Sequence, residues 1–284
     1  MKKNTTNKKA LKVCILLIIA IIILITGICY WYFQIKKPHD TAVSEFNTAV
    51  KQVEQKNQEL DSTIQSAQTV LDAGEPVYDE ATINDVTTAI SEAGLEKRET
   101  PKLPGKTDEI IAVTSELLKP LDYTSAINNI NEKKSALENS IKQMKQITNP
   151  SGDFIVQRLQ GIENISACQA VTEDHDPNGN LNKQGGYTSA IYFSSPLINQ
   201  DEIVGNDIVN KGTDCGGCVE VYSSLNDAEA RNTYLAAFDT AGILNSGSHT
   251  LLGTIVIRTS QKLTATQQNE LTQTISNNLL ELRE

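Results

Sequence analysis

The chain has 284 residues, 39% hydrophobic and 21% charged, a composition that excludes a wholly disordered polypeptide. Its net charge is −10, yet residues 1–37 hold seven Lys and no acid, which leaves 18 basic against 35 acidic groups, a net of −17, in residues 38–284. An acidic body of that size repels phosphate backbones and excludes nucleic-acid binding as a function class.

The run from Val13 to Ile35 carries no charge and is dominated by Ile and Leu. At about 1.5 Å per residue it is long enough to cross a hydrocarbon core of roughly 30 Å. Tyr30, Trp31, Tyr32 and Phe33 close it with the aromatic cluster expected at a membrane–water interface. Lys2, Lys3, Lys8, Lys9 and Lys12 precede it, and only Lys36 and Lys37 follow. The charge bias predicts a cytoplasmic tail at 1–12, a single-pass anchor at 13–35 in the cell membrane, and an extracellular body. A cleaved signal peptide is the competing reading. The flank Thr26-Gly27-Ile28-Cys29-Tyr30-Trp31 lacks the small residues that cleavage requires, and Ile28 before Cys29 does not suit lipoprotein processing.

Residues 38–148 are expected to form a helical stalk. Val43, Phe46, Val50, Val53, Asn57, Leu60, Ile64, Ala67 and Leu71 alternate at spacings of three and four, a heptad seam over residues 41–73. Asn57 stands at a seam position where one polar residue sets register. Gly74 and Pro76 end the helix. Shorter helices are predicted at 80–93 and 106–119, with a loop at 96–105 marked by Pro101, Pro104 and Gly105. A second long helix is predicted over 122–147, striped by Tyr123, Ile127, Ile130, Leu137, Ile141 and Met144. Two seams favour a helical hairpin, which leaves neither exposed; a parallel dimer zippered along 41–73 is the alternative.

From about residue 60 to 140, Leu60, Ile64, Ala67 and Leu71, then Asp85-Val86, Ala89-Ile90 and Ala93, then Leu117-Leu118, resemble the FIVAR-type helical modules of Gram-positive surface proteins. The resemblance lies in a pattern of small and aliphatic residues. It implies a helical bundle displayed on the cell surface, in a class linked to adhesion and envelope binding, and it carries over no ligand.

Asn149-Pro150-Ser151-Gly152 reads as a linker at 149–152, and beyond it the pattern becomes mixed. A helix capped by Ser151 is expected at 153–162, strands at 165–172, 187–194, 218–223 and 250–259, and a helix at 227–239. A last helix starts at Thr264, with Gln267 completing a capping box, and is expected to bury Leu271, Ile275, Leu279 and Leu282. Together these predict an α+β head at 153–284 with a four-stranded sheet. Asp176-Pro177-Asn178-Gly179, Gly185-Gly186-Tyr187-Thr188-Ser189, Ser248-His249 and Arg258-Thr259-Ser260 resemble uncharacterised membrane-anchored extracytoplasmic domains of Gram-positive bacteria. That resemblance implies location and architecture and supplies no chemistry.

Two clusters have candidate chemistry. Asp174, Asp176, Asn178 and Asn180 place oxygen side chains at every second position with Gly179 at the sixth, as in a calcium loop. Position twelve, however, is Gly185 instead of a bidentate Glu, and strands flank the loop. A hairpin connection in which Asp and Asn bond their own backbone is the competing account. The second cluster is Cys215-Gly216-Gly217-Cys218. It leads into a strand, so the helix N-terminus that lowers a catalytic thiol's pKa is missing, and a structural disulfide is expected instead. With Cys168 the extracellular cysteines number three. Alternation places Cys168 and Cys218 on one side of their strands, and a Cys168–Cys218 or Cys168–Cys215 bridge would close a loop of about fifty residues, worth roughly 4 kcal/mol. A Cys215–Cys218 bridge or three free thiols are the alternatives.

His39, His175 and His249 are the only histidines, and no nucleophile elbow, zinc helix or phosphate-binding Gly loop is present. The sequence therefore predicts a non-enzymatic binding or structural protein of the cell envelope, anchored in the membrane, with an envelope protein or glycan as partner and no cofactor unless calcium binds. An extracytoplasmic thiol-redox or hydrolytic enzyme using the head is the alternative.

Overall fold

The computed structural model describes residues 5–239 and 247–283. Lys2 and Lys3, named above, lie outside the described residues. Helix α1 (Thr5–Trp31) holds most of the apolar run, and one π-turn (Tyr32–Lys36), which takes in its last residues, joins it to the long α2 (Lys37–Asp72). The apolar stretch has none of its span buried and is long and apolar enough to be a candidate membrane span. Helices α3 (Ala81–Glu96), α4 (Thr107–Leu117) and α5 (Thr124–Gln146) follow.

The described chain divides into two compact units, residues 1–69 with 87–132 and residues 70–86 with 133–284. In the first unit the early part of the α2 seam is covered within the same chain. Phe46 and Val53, with Ala42 and Ala49 beside them, pack against Ile110 and Leu117 of α4. The cover here is the short α4, a partner the hairpin expectation did not name. Asn57 also finds its partners in the chain: its Nδ2 donates to the Arg98 carbonyl (2.9 Å), and its Oδ1 accepts from the Tyr123 hydroxyl (2.8 Å). The Tyr123 oxygen in turn accepts from the Arg98 amide at 2.8 Å.

The second unit holds an antiparallel sheet of order β1-β2-β3-β5-β4, formed by β1 (Ala167–Ala170), β2 (Tyr187–Ser194), β3 (Gly216–Tyr222), β4 (Ser248–Leu252) and β5 (Ile255–Thr259). The sheet has five strands, not four. The run expected as one strand over 250–259 folds back on itself, because Gly253 at φ +57° and Thr254 make a two-residue hairpin turn between Leu252 and Ile255. A Cβ on Gly253 would lie 2.6 Å from the Ile147 carbonyl oxygen, which also accepts from the Thr254 amide at 3.1 Å.

Helices α6 (Gly152–Leu159) and α9 (Ala265–Leu280) cover one face, meeting Ile191, Phe193, Val219, Val221, Ile255 and Ile257. Ser151 caps α6 and Thr264 closes the capping box of α9, both as predicted. Leu280 is buried at the end of α9, whereas Leu282, expected in the core, lies past the helix end and is exposed. The other face carries Tyr192, Cys218, Tyr222 and Val256 and is covered by α8 (Leu225–Ala236), with α7 (Ile208–Lys211) beside β1 and β2. A bulge between Tyr187 and Ser189 turns Tyr187 onto this second face. The expected linker at 149–152 is fastened to the sheet: the Asn149 amide donates to Thr254 Oγ1 at 2.7 Å, and Ile147 is fully buried in the core under α6 and α9.

Candidate functional site

A buried, charged cluster lies on the α8 face of the sheet. Glu220 is completely buried in β3, between Val219 and Val221. Its Oε1 accepts from Arg258 Nη1 and Arg231 Nη2, both at 2.9 Å, and its Oε2 accepts from Arg231 Nε at 2.8 Å and the Tyr222 hydroxyl at 2.9 Å. Arg258 comes from β5 and Arg231 from α8, so one carboxylate joins a central strand, its neighbour and the covering helix. Burial pushes the Glu220 carboxyl upward, but hydrogen bonds and charge from Arg231 and Arg258 outweigh it and hold it below the ordinary carboxylate range. Burial, helped by the Glu220 charge, raises the Tyr222 hydroxyl and the Tyr192 hydroxyl beside it.

Sequence reading missed this cluster. Glu220 alternates with Val219 and Val221 and so reads as the wet side of a half-buried strand. The only textual signal is an acid inside an apolar run with Arg residues 11 and 38 positions later.

The same second face explains the loop at 172–187. Asp176 Oδ1 accepts from the Asn178 amide (3.0 Å) and from the Tyr187 hydroxyl, which the bulge has brought round. Its Oδ2 accepts from the amides of Asn180 (2.6 Å) and Leu181 (2.8 Å). Both oxygens are thus engaged by donors of their own loop, and against the cost of partial burial these hydrogen bonds lower the Asp176 pKa. Asn178 Nδ2 donates to the Tyr192 hydroxyl at 3.1 Å, while Asp174 and Asn180 are exposed. Among the described residues no group of three His, Cys, Asp or Glu side chains converges as metal ligands.

All five cysteines carry free thiols. The expected meeting of Cys168 with Cys218 fails on topology: β2 separates β1 from β3, and the register puts Cys168 opposite Phe193 but Cys218 opposite Tyr192. Cys168 accordingly packs on the α6/α9 face and Cys218 on the α8 face. Cys215 also joins the α6/α9 core, so it and Cys218 point to opposite sides. Burial pushes the thiols of Cys168 and Cys215 up to about 11 and that of Cys218 well above the ordinary value, the reverse of activation. The paired glycines have a packing reason. A Cβ on Gly217 would lie 2.2 Å from the Arg258 carbonyl oxygen and 2.4 Å from the Phe193 ring that crosses it.

His249 is likewise in use. Its Nδ1 lies 2.7 Å from Asn232 Oδ1 of α8 and its Nε2 3.2 Å from Asp239 Oδ1. His175 pairs with Asn210 at 3.1 Å.

In the helical unit, Arg98 caps the end of α4: Nη1 donates to the carbonyls of Leu117 (3.1 Å) and Lys119 (2.7 Å), and Nη2 to that of Pro120 (3.0 Å). Recesses of about 340 and 420 Å³ flank this capped end. Compared with protein-family models, with curated proteins and with solved structures, the chain finds no significant match to any of them.

Proposed function

We propose that the chain is a single-pass, membrane-anchored binding or spacing protein of the bacterial cell envelope, with residues 38–284 outside the cell and a FIVAR-like helical module between anchor and head. The observation that carries this reading is α1, an apolar helix with no buried face that passes through a single π-turn into α2. The excess of lysines before the span supports an inward N-terminus. Work without covalent chemistry is supported by how the polar side chains of the head are used. Glu220, Asp176 and His249 each have protein partners, and the thiols are held in the protonated state by burial. The partner class that suits an acidic, displayed body is an envelope protein or glycan.

Protease added to intact cells producing a C-terminally tagged chain tests the orientation. The tag should vanish while a short anchored N-terminal fragment survives. A fully protected tag would overturn the orientation.

A further inference from the structure

Where α2 leaves the anchor, the chain builds a recess that nothing above uses. Its volume is about 450 Å³, within the range of small-molecule sites, and Phe33, Lys37, Pro38, Glu45 and Ile111 are among its walls. Three features place it at headgroup level. Phe33 belongs to the aromatic cluster that ends the apolar run. The π-turn, closed by the Lys37 amide donating to the Tyr32 carbonyl, sets Lys37 Nζ 5.8 Å above the Phe33 ring. Turns of this rare kind concentrate at functional sites. From the other side, α4 is fastened to the same turn of α2 by His39 Nδ1 and Thr107 Oγ1, 3.1 Å apart, which brings Ile111 to the recess while leaving it 54% exposed.

The charges along the recess are ordered. Lys37 stands next to the apolar run, and Glu45 lies two helical turns further out, about 12 Å along the axis. Among the described residues the Glu45 carboxylate has no hydrogen-bond or ion-pair partner. A cation near the bilayer and an anion beyond it complement a headgroup whose phosphate lies deeper and whose ammonium lies outermost. Phe33 and Ile111 supply the apolar wall that the glycerol and upper acyl carbons require.

We propose that this recess seats one outer-leaflet zwitterionic phospholipid, with Lys37 on its phosphate and Glu45 on its ammonium. The proposal rests on the membrane-anchor reading given above. The test uses the full chain in nanodiscs holding equal amounts of phosphatidylethanolamine, phosphatidylglycerol and phosphatidylcholine, with retained lipid counted by native mass spectrometry. Phosphatidylethanolamine should be retained over phosphatidylglycerol by about threefold to fivefold, the scale of one exposed ion pair. Glu45→Gln should abolish that preference, and Lys37→Gln should lower retention of both lipids. Equal retention of the two lipids, or a preference unchanged in Glu45→Gln, would overturn the proposal. Flotation with vesicles separates the two failures: a chain that does not float refutes the anchor itself and the seat with it, whereas one that floats without the preference refutes only the seat.

Discussion

Glu220 concentrates the electrostatics of the head in one side chain. Its removal would leave the guanidinium groups of Arg231 and Arg258 in a low-dielectric site without their common anion. Breaking a buried pair in this way costs about 3–5 kcal/mol, more than the desolvation saved. Glu220→Gln should therefore lower the unfolding free energy of the second unit by that amount, read as a lower urea midpoint in the emission of its tyrosines. Acid should act through the same residue. The carboxyls of Glu220 and Asp176 are both held below their ordinary values of 4.5 and 3.8, so their contribution to stability is complete above about pH 4.5 and is lost as pH falls through the folded-state values. Stability measured from pH 7 downward should be flat to about pH 5 and then fall, and Asp176→Asn should shrink that fall. Because both Asp176 oxygens already accept from their own loop, millimolar calcium or chelator should leave the melting temperature unchanged. A calcium-dependent rise would show that the loop opens to ligate the ion.

At the scale of elements, a hairpin turn and a helix end each depend on a single residue. The β4–β5 turn requires Gly253, whose φ of +57° is left-handed and whose hydrogen faces the Ile147 carbonyl. Gly253→Ala should cost about 1–3 kcal/mol, from backbone strain and the displaced carbonyl together. The same change at Gly74, also at positive φ but with open space around it, should cost no more than the strain. In the helical unit Arg98 satisfies three carbonyls at the end of α4 while its own backbone holds Asn57 and Tyr123. Arg98→Ala removes the guanidinium and leaves the backbone bonds. Hydrogen exchange should rise over residues 107–121 in that variant and stay unchanged in β3 and β5.

For the molecule as a whole, the seam of α2 has an in-chain use. Asn57 bonds to Arg98 and Tyr123 within its own unit, so the detergent-solubilised full chain should be monomeric by light scattering, and Asn57→Ala should cost about 1–3 kcal/mol without altering the mass. A dimer dissociated by that substitution would restore the zippered arrangement. The α+β class, the long apolar helix near the N-terminus, the long helix after it and the caps at Ser151 and Thr264 were all legible in the sequence. Each depends on local chemistry: a run of Ile and Leu, a spacing of three and four, or a hydroxyl three residues before an amide. The fifth strand was missed because Gly253-Thr254 interrupts an apolar run by only two residues, and the positive φ that makes it a turn is fixed by the docked Ile147 carbonyl. The Glu220 cluster and the separation of the cysteines were illegible for a related reason. Alternation shows which residues of one strand share a face, but strand order and register decide what shares that face from elsewhere. A sheet covered on both sides has no wet face, so the residues that read as solvent-facing, Cys218, Glu220 and Tyr222, became its second core.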